Sequence, residues 1–410
     1  MTILTSDLRL PQHSVLPDYG DGGIFGLASS FARFLDGEPW RFAGQGLGEG
    51  GDDSPVVVFL LVDGLGDGFL QRFGAGSCLL ADRSRRLTSV FPSTTASAVT
   101  TMLTAAAPRT HGLNGWFVRD RRFGGVVAPL PLNDRAGRRL KTDRAMLKSF
   151  FPYPSLFEQR RRASVALLPA YIADSAFSRR HCRGAQILPH LDLEHLVDSM
   201  VGASRVLRRK GGGFVHAYYP EFDALSHDFG CSSGEVLAEF WRVDSAYRRL
   251  VDELAGDNVT VVVCADHGFI DSPPERFIRL DAWPEILDML DGPMWGERRA
   301  AFCELRPGAE AAFSAWVATE LEGIARLVEA STLLQAGLLG NAPDHALLRE
   351  RIGSHVLLME PGWTIWDPRE GESVHEMLGV HGGLSADEMW VPLIVRECGS
   401  RDGRERRGLR

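Results

Sequence analysis

The chain predicts an α/β fold, a three-layer sandwich with a mostly parallel central sheet and a small α/β insert. Three observations carry that expectation. Five short aliphatic or β-branched runs end in polar or glycine residues: 56–62 (VVVFLLV), 164–168 (SVALL), 213–219 (GFVHAYY), 259–265 (VTVVVCA) and 391–396 (VPLIVR). Such runs read as parallel strands buried on both faces. Between the third and fourth lies an amphipathic helix, with Val236, Phe240, Val243, Tyr247, Leu250 and Leu254 on one face and Ser232 and Glu235 fitting a capping box. Gly256-Asp257-Asn258 stops it before the next strand, and strand, helix, strand in that order calls for a right-handed crossover.

Taken in order, residues 1–53 hold one predicted helix over 25–35 among glycine-rich loops and read as an arm laid on the core. The core comprises 54–275 and 371–400. Between them, 276–370 reads as an insert: a strand in RAAFCEL, a helix over 310–321, a strand near 325–329, helical 343–351 and a strand in HVLLM. The polar tail 401–410 is expected to fray.

Composition excludes several classes. Hydrophobic residues at 44% and charged residues at 24% of 410 are globular proportions, neither disordered nor collagen-like nor coiled-coil. No apolar run approaches the roughly 18 residues that cross a bilayer. The N-terminus lacks a basic start followed by an apolar stretch, so the expected location is the cytoplasm. Six scattered cysteines without a CxxC pair argue against a disulfide framework or a cysteine zinc site. A net charge of −8 speaks against sequence-specific nucleic-acid binding.

Chemistry concentrates where strands end. Asp63 closes VVVFLLVDG, Asp223 follows GFVHAYYPEF, and Asp266 closes VTVVVCADHG. In an open α/β sheet, ligands bind in the crevice at the strands' carboxyl ends, where these carboxylates would converge. One aspartate after a strand is usually a cap or turn former. Histidines shift the balance: Asp223 and His227 are one helical turn apart, His267 follows Asp266, and His381 sits between glycines in GVHGG. Carboxylates mixed with imidazoles suit zinc, with manganese or iron as alternatives. Pro92 and Ser93 lead into a helical run, so Thr94 and Thr95 fall near a helix N-terminus, where a hydroxyl can cap the helix or act as a nucleophile on a bound phosphate. Among the remaining histidines, His216 reads as a core residue, His111 as a turn former and His375 as a neighbour of the site.

Five motifs stand in order: LVDG (61–64), FPSTTASAVTTMLTAAAPRTHGLNG (91–115), PEFDALSH (220–227), ADHG (265–268) and HGG (381–383). As a set they resemble the alkaline phosphatase superfamily, and most closely its type I phosphodiesterase and nucleotide pyrophosphatase branch. The resemblance implies an alkaline phosphatase-like core and two divalent ions, zinc by preference. One would be held by Asp223, His227 and His381, the other by Asp63, Asp266 and His267, with Thr95 as the nucleophile that forms a covalent phospho-threonine. Two divalent ions against three aspartates leave one net positive charge, which attracts a phosphoryl group. The family's phosphate-holding asparagine would fall on Trp116; Asn114, two positions away, takes that role in this reading, and Trp116 becomes a stacking contact for a base or sugar. The expected partner is a small-molecule phosphoester, with nucleotides among the candidates.

Two other readings stay open. HGGLSADE is similar to the last motif of phosphonoacetate hydrolases, which keeps a phosphomonoesterase or phosphonate hydrolase in play. A catalytically silent binding module is the alternative from another class. Trp295, Trp363 and Trp366 in the insert read as core residues or base contacts.

Overall fold

The computed structural model describes residues 8, 10–42, 55–369, 371–372 and 376–399; His375 and the 401–410 tail lie outside them. A seven-stranded sheet forms the centre, in the order Arg83–Thr88, Trp390–Cys398, Val259–Cys264, Val56–Val62, Gly213–Tyr219, Ala163–Pro169, Gln186–His190. Every residue of Val56–Val62 is buried, as its uninterrupted apolar run predicts. Its parallel pairing starts with Val56 opposite Gly213 on one side and Val259 on the other. Three strands therefore leave the same edge of the sheet in step, and the segments carrying Asp63, Asp223 and Asp266 begin side by side.

Three strands depart from the sequence reading. Trp390–Cys398 was expected to be parallel but runs antiparallel to both neighbours. The chain enters it from the loop carrying His381, already at the carboxyl edge, and can only run back down. Arg83–Thr88 and Gln186–His190 had no counterpart in the reading, because edge strands expose alternate polar residues and lack a long apolar run.

Helix Ile24–Leu35 packs Phe31 against Phe59 and Phe214, with ring centroids 4.8 and 4.9 Å away, and joins the main buried cluster. Helix Gly234–Glu253 begins one residue later than its capping box implied. Ser233, in extended backbone, accepts from Val236 N at 3.3 Å, which leaves Glu235 at the second helical position, too early to reach back. Among the described residues no helix is long and apolar enough to cross a membrane.

Beyond Arg276 the chain builds a four-stranded antiparallel sheet in the order Trp295–Gly296, Ala300–Cys303, His355–Met359, Ala325–Glu329. Its side chains alternate with period two. Ala301, Cys303, Leu357 and Met359 pack with Phe313 and Val317 of helix Glu310–Glu320, whereas Phe302, Val356 and Leu358 pack with Phe91, Leu384 and Met389. The second face thus rests on the two segments that carry the FPSTT and HGG motifs. The expected helix over 343–351 is shorter, Leu348–Ile352, and a further helix forms at Ala330–Gln335.

Candidate active site

Thr95 is the first residue of helix Thr95–Thr104, and Thr94 occupies its N-cap position without capping it. The turn before the helix is fastened on three sides. Ser89 donates to the Asp266 carbonyl, Ser93 Oγ donates to the Gly383 carbonyl at 2.8 Å, and the Thr94 hydroxyl donates to Glu297 Oε1 at 2.6 Å. Thr95 Oγ1 is left 3.1 Å from His267 Nε2.

The six acidic and imidazole residues singled out in the sequence gather beside it in two groups. Asp63, Asp266 and His267 form one; Asp223, His227 and His381 form the other; within each, one ligand-type atom per residue lies within 4.8 Å of the others. His267 Nε2 is 3.4 Å from Asp63 Oδ1, 3.3 Å from Asp266 Oδ2 and 3.9 Å from Asp223 Oδ1, so the groups adjoin. Helix Glu221–Phe229 brings Asp223 and His227 onto one face, 3.6 Å apart.

Imidazole orientation follows from the opposite ring nitrogen. His227 donates Nδ1–H to the Gly379 carbonyl at 2.8 Å, His381 to the Ser93 carbonyl at 3.2 Å, and His267 to the Gly268 carbonyl at 3.1 Å. A carbonyl only accepts, so Nδ1 carries the proton and each Nε2 turns a lone pair inward. The Nε2 atoms of His227 and His381 are 3.2 Å apart, and both face Asp223 Oδ1, at 3.6 and 3.8 Å.

The carboxylates match. Gly64 N and His267 N donate to Asp266 Oδ1, each at 3.0 Å, and the Tyr218 hydroxyl donates to Asp63 Oδ2. Asp63 Oδ1, Asp223 Oδ1 and Asp266 Oδ2 remain buried without a hydrogen-bond partner. Burial, then the charges of Asp266 and Asp223, push the Asp63 carboxyl well above its usual range, and burial with Asp266 and Glu297 does the same to Asp223. Burial and then the facing His267 and His227 hold His381 well below the ordinary imidazole value. Orphaned oxygens and inward lone pairs crowded together are what a cation would satisfy, and this oxygen and nitrogen donor set suits zinc.

A pocket of about 330 Å³ opens beside Thr95, Asp223, His227 and His381, walled by Trp116, Phe117, Arg135, Glu297, Arg298 and Trp366. Trp116 is 41% exposed at this wall. Asn114 does not reach it. It is buried, and its Nδ2 donates to the Arg351 carbonyl at 2.7 Å, because the chain turns at Gly115 (φ 152°), where backbone passes so close to Gly296 that a Cβ would sit 2.4 Å from its Cα. Of the insert tryptophans, Trp366 lines the pocket and Trp295 is core. His111 accepts from Leu113 N at 3.1 Å in its turn, and His216 is buried with Nε2 unpartnered.

Glu297 escaped the sequence reading. Its only trace was a charged triplet, Glu297-Arg298-Arg299, between the apolar MW and AAFC runs. Its Oε1 accepts both the Thr94 hydroxyl and Trp116 N, each at 2.6 Å, and burial pushes its carboxyl up to about 7. Arg299 anchors the same hairpin: it pairs with buried Glu388 at 2.8 Å, and Glu388 in turn accepts Gly383 N and Ser385 N in the loop that follows His381.

Comparison with known proteins agrees with this architecture. Human ectonucleotide pyrophosphatase/phosphodiesterase 5 superposes with a TM-score of 0.60 at 16% identity over 84% of this chain and 90% of that one. The murine protein, solved in an inactive threonine-to-alanine form in complex with AMP, gives 0.60 and 16% over 82% and 87%. No curated protein matches the chain. The family model for type I phosphodiesterase/nucleotide pyrophosphatase matches residues 57–384, and the chain belongs to that family, within the alkaline phosphatase superfamily.

Proposed function

We propose that the protein is a two-metal phosphodiesterase or nucleotide pyrophosphatase acting on a nucleotide-like small molecule through a phospho-threonine. The observation that carries this reading is the convergence of three unpartnered carboxylate oxygens and three inward imidazole lone pairs beside the Thr95 hydroxyl. Asp63, Asp266 and His267 would hold one divalent ion, Asp223, His227 and His381 the other. When bound, such ions lower the pKa of a nearby hydroxyl or water and neutralise charge on the attacking and leaving oxygens.

Thr95 Oγ1 attacks phosphorus; its bond to phosphorus forms as the bond to the leaving oxygen breaks. The hydroxyl proton departs to solvent in that step; His267 Nε2, 3.1 Å from Oγ1, would be committed as a ligand, and the ion it would help to hold would lower the hydroxyl pKa so that no separate base is needed. Water then attacks the same phosphorus, breaks the Thr95 ester and restores the hydroxyl. Fastening of the preceding turn through Ser89, Ser93 and Thr94 holds Oγ1 in place through both displacements. The inactive threonine-to-alanine form of the murine protein and its bound AMP support both the nucleophile and a nucleotide substrate. Trp116 and Trp366 on the pocket wall suit a base or sugar face. The six unpaired cysteines fit a reducing compartment such as the cytoplasm.

The test is a parallel assay of zinc-loaded protein on bis-p-nitrophenyl phosphate, thymidine 5′-monophosphate p-nitrophenyl ester and p-nitrophenyl phosphate, with a chelated control. Chelator-sensitive preference for the nucleotide diester is expected. Preference for the monoester would favour a phosphatase or phosphonate hydrolase, silence on all three with two zinc ions bound would point to a narrow natural substrate, and failure to hold zinc would favour a binding module.

A further inference from the structure

Glu297 belongs to neither metal group, yet it stands in the pocket wall beside the nucleophile turn. We propose that it determines specificity: its carboxylate selects singly charged phosphodiesters and disfavours doubly charged phosphomonoesters. This inference rests on the phosphoester reading above.

The position is built. Arg299, two residues on, is buried and makes two bonds to Glu388 and three to the carbonyls of Met359, Glu360 and Trp363. Gly296, one residue before, exchanges backbone hydrogen bonds with Phe117 at 2.9 and 3.2 Å. With both flanks fixed, the side chain sits against the HGG loop, where a Cβ on Gly382 would be 2.7 Å from Glu297 Cβ. Both hydrogen bonds fall on Oε1, from Thr94 and from Trp116 N. Burial pushes the carboxyl up to about 7, against which the bonds from Thr94 and Trp116 N and then the Arg298 charge favour the ionised form, so the carboxylate is charged in mildly alkaline solution.

Charge decides the consequence. Two divalent cations exceed the three aspartates by one positive charge, and Glu297 cancels that excess at the side of the site next to Thr95. A diester adds one negative charge to this setting, which Arg298 on the same wall keeps slightly positive. A monoester adds two, the second in repulsion with a carboxylate that cannot retreat. At separations of several ångströms in a partly screened site, one such repulsion is worth roughly tenfold or more in binding.

The test is Glu297→Gln at pH 8.5, where the carboxyl and a phosphomonoester are both ionised. Glutamine keeps an oxygen acceptor for Thr94 and Trp116 and removes only the charge. The kcat/KM ratio of p-nitrophenyl phosphate to bis-p-nitrophenyl phosphate should rise about tenfold. The ratio for p-nitrophenyl methylphosphonate, singly charged but monoester-sized, should stay within about threefold, and Glu297→Asp, which keeps the charge, should retain the wild-type order. Calorimetry of zinc-loaded protein should show inorganic phosphate binding tightened about tenfold in E297Q. A parallel rise for phosphate and methylphosphonate esters, or unchanged phosphate affinity in a variant that melts as the wild type does, overturns the proposal. Absence of chelator-sensitive turnover in the wild type would instead refute the phosphoester reading, while the phosphate titration still reads the charge effect.

Discussion

Arg299→Met should cost about 3–5 kcal/mol, the usual result of removing one partner from a buried ion pair. Arg299 and Glu388 side chains are 1% and 0% exposed, so water cannot replace what the mutation removes. The change deletes two charge-assisted bonds of 2.9 and 2.8 Å and leaves the Glu388 charge with only Gly383 N and Ser385 N as donors. Three carbonyls also lose their donor. Burial alone would raise the Glu388 carboxyl, but the Arg299 charge and hydrogen bonds outweigh it and hold it below the usual glutamate range. That contribution is present above the ordinary glutamate pKa and is lost as pH falls through the depressed one, so the stability gap between variant and wild type should narrow on acidification. Urea unfolding followed by tryptophan fluorescence should show a midpoint lower by on the order of 1 M. Zinc content should fall with it, because Glu388 shapes the loop behind His381. The double variant Arg299→Met/Glu388→Gln should recover part of the loss, since the stranded charge is gone. A single variant within about 1 kcal/mol of wild type, or a double variant no better than the single, would refute this account.

Thr95→Ala should keep two zinc equivalents by elemental analysis and lose turnover; retained activity would move the nucleophile to Thr94. His381→Ala should lose one equivalent, and a variant still holding two would break the assignment of the groups. Asp223→Asn should stabilise chelated protein at pH 8 by about 1–3 kcal/mol while weakening zinc binding, because it removes a buried carboxylate repelled by its neighbours. The raised carboxyl means that protonation stabilises the folded chain below the ordinary aspartate pKa and that this is lost as pH rises through the raised value. The advantage of the asparagine should therefore vanish in acid, and equal advantage at both pH values would remove repulsion as its cause.

The sequence alone determined the kind of sheet and which acidic and imidazole residues stand at its edge. A run such as VVVFLLV, seven residues long, rich in valine and stopped by Asp-Gly, reads as a strand buried on both faces, and an aspartate immediately after such a strand lies at its carboxyl edge. The spacing of Asp223 and His227 likewise needed only the pitch of a helix. Strand direction was beyond it: a doubly buried strand carries the same residues parallel or antiparallel, and Trp390–Cys398 takes its direction from where the preceding loop ends. Edge strand Arg83–Thr88 was hidden because its alternating arginines look like any solvated surface. Tertiary structure also decided which side chains wall the pocket. Asn114 and Trp116 are two residues apart, yet the turn at Gly115 sends one into the insert's core and the other to the pocket. Glu297 reaches Thr94 across 203 residues of chain, a contact made by packing one face of a sheet against two loops. No local pattern records such a meeting, because the energy that makes it is apolar burial elsewhere in the fold.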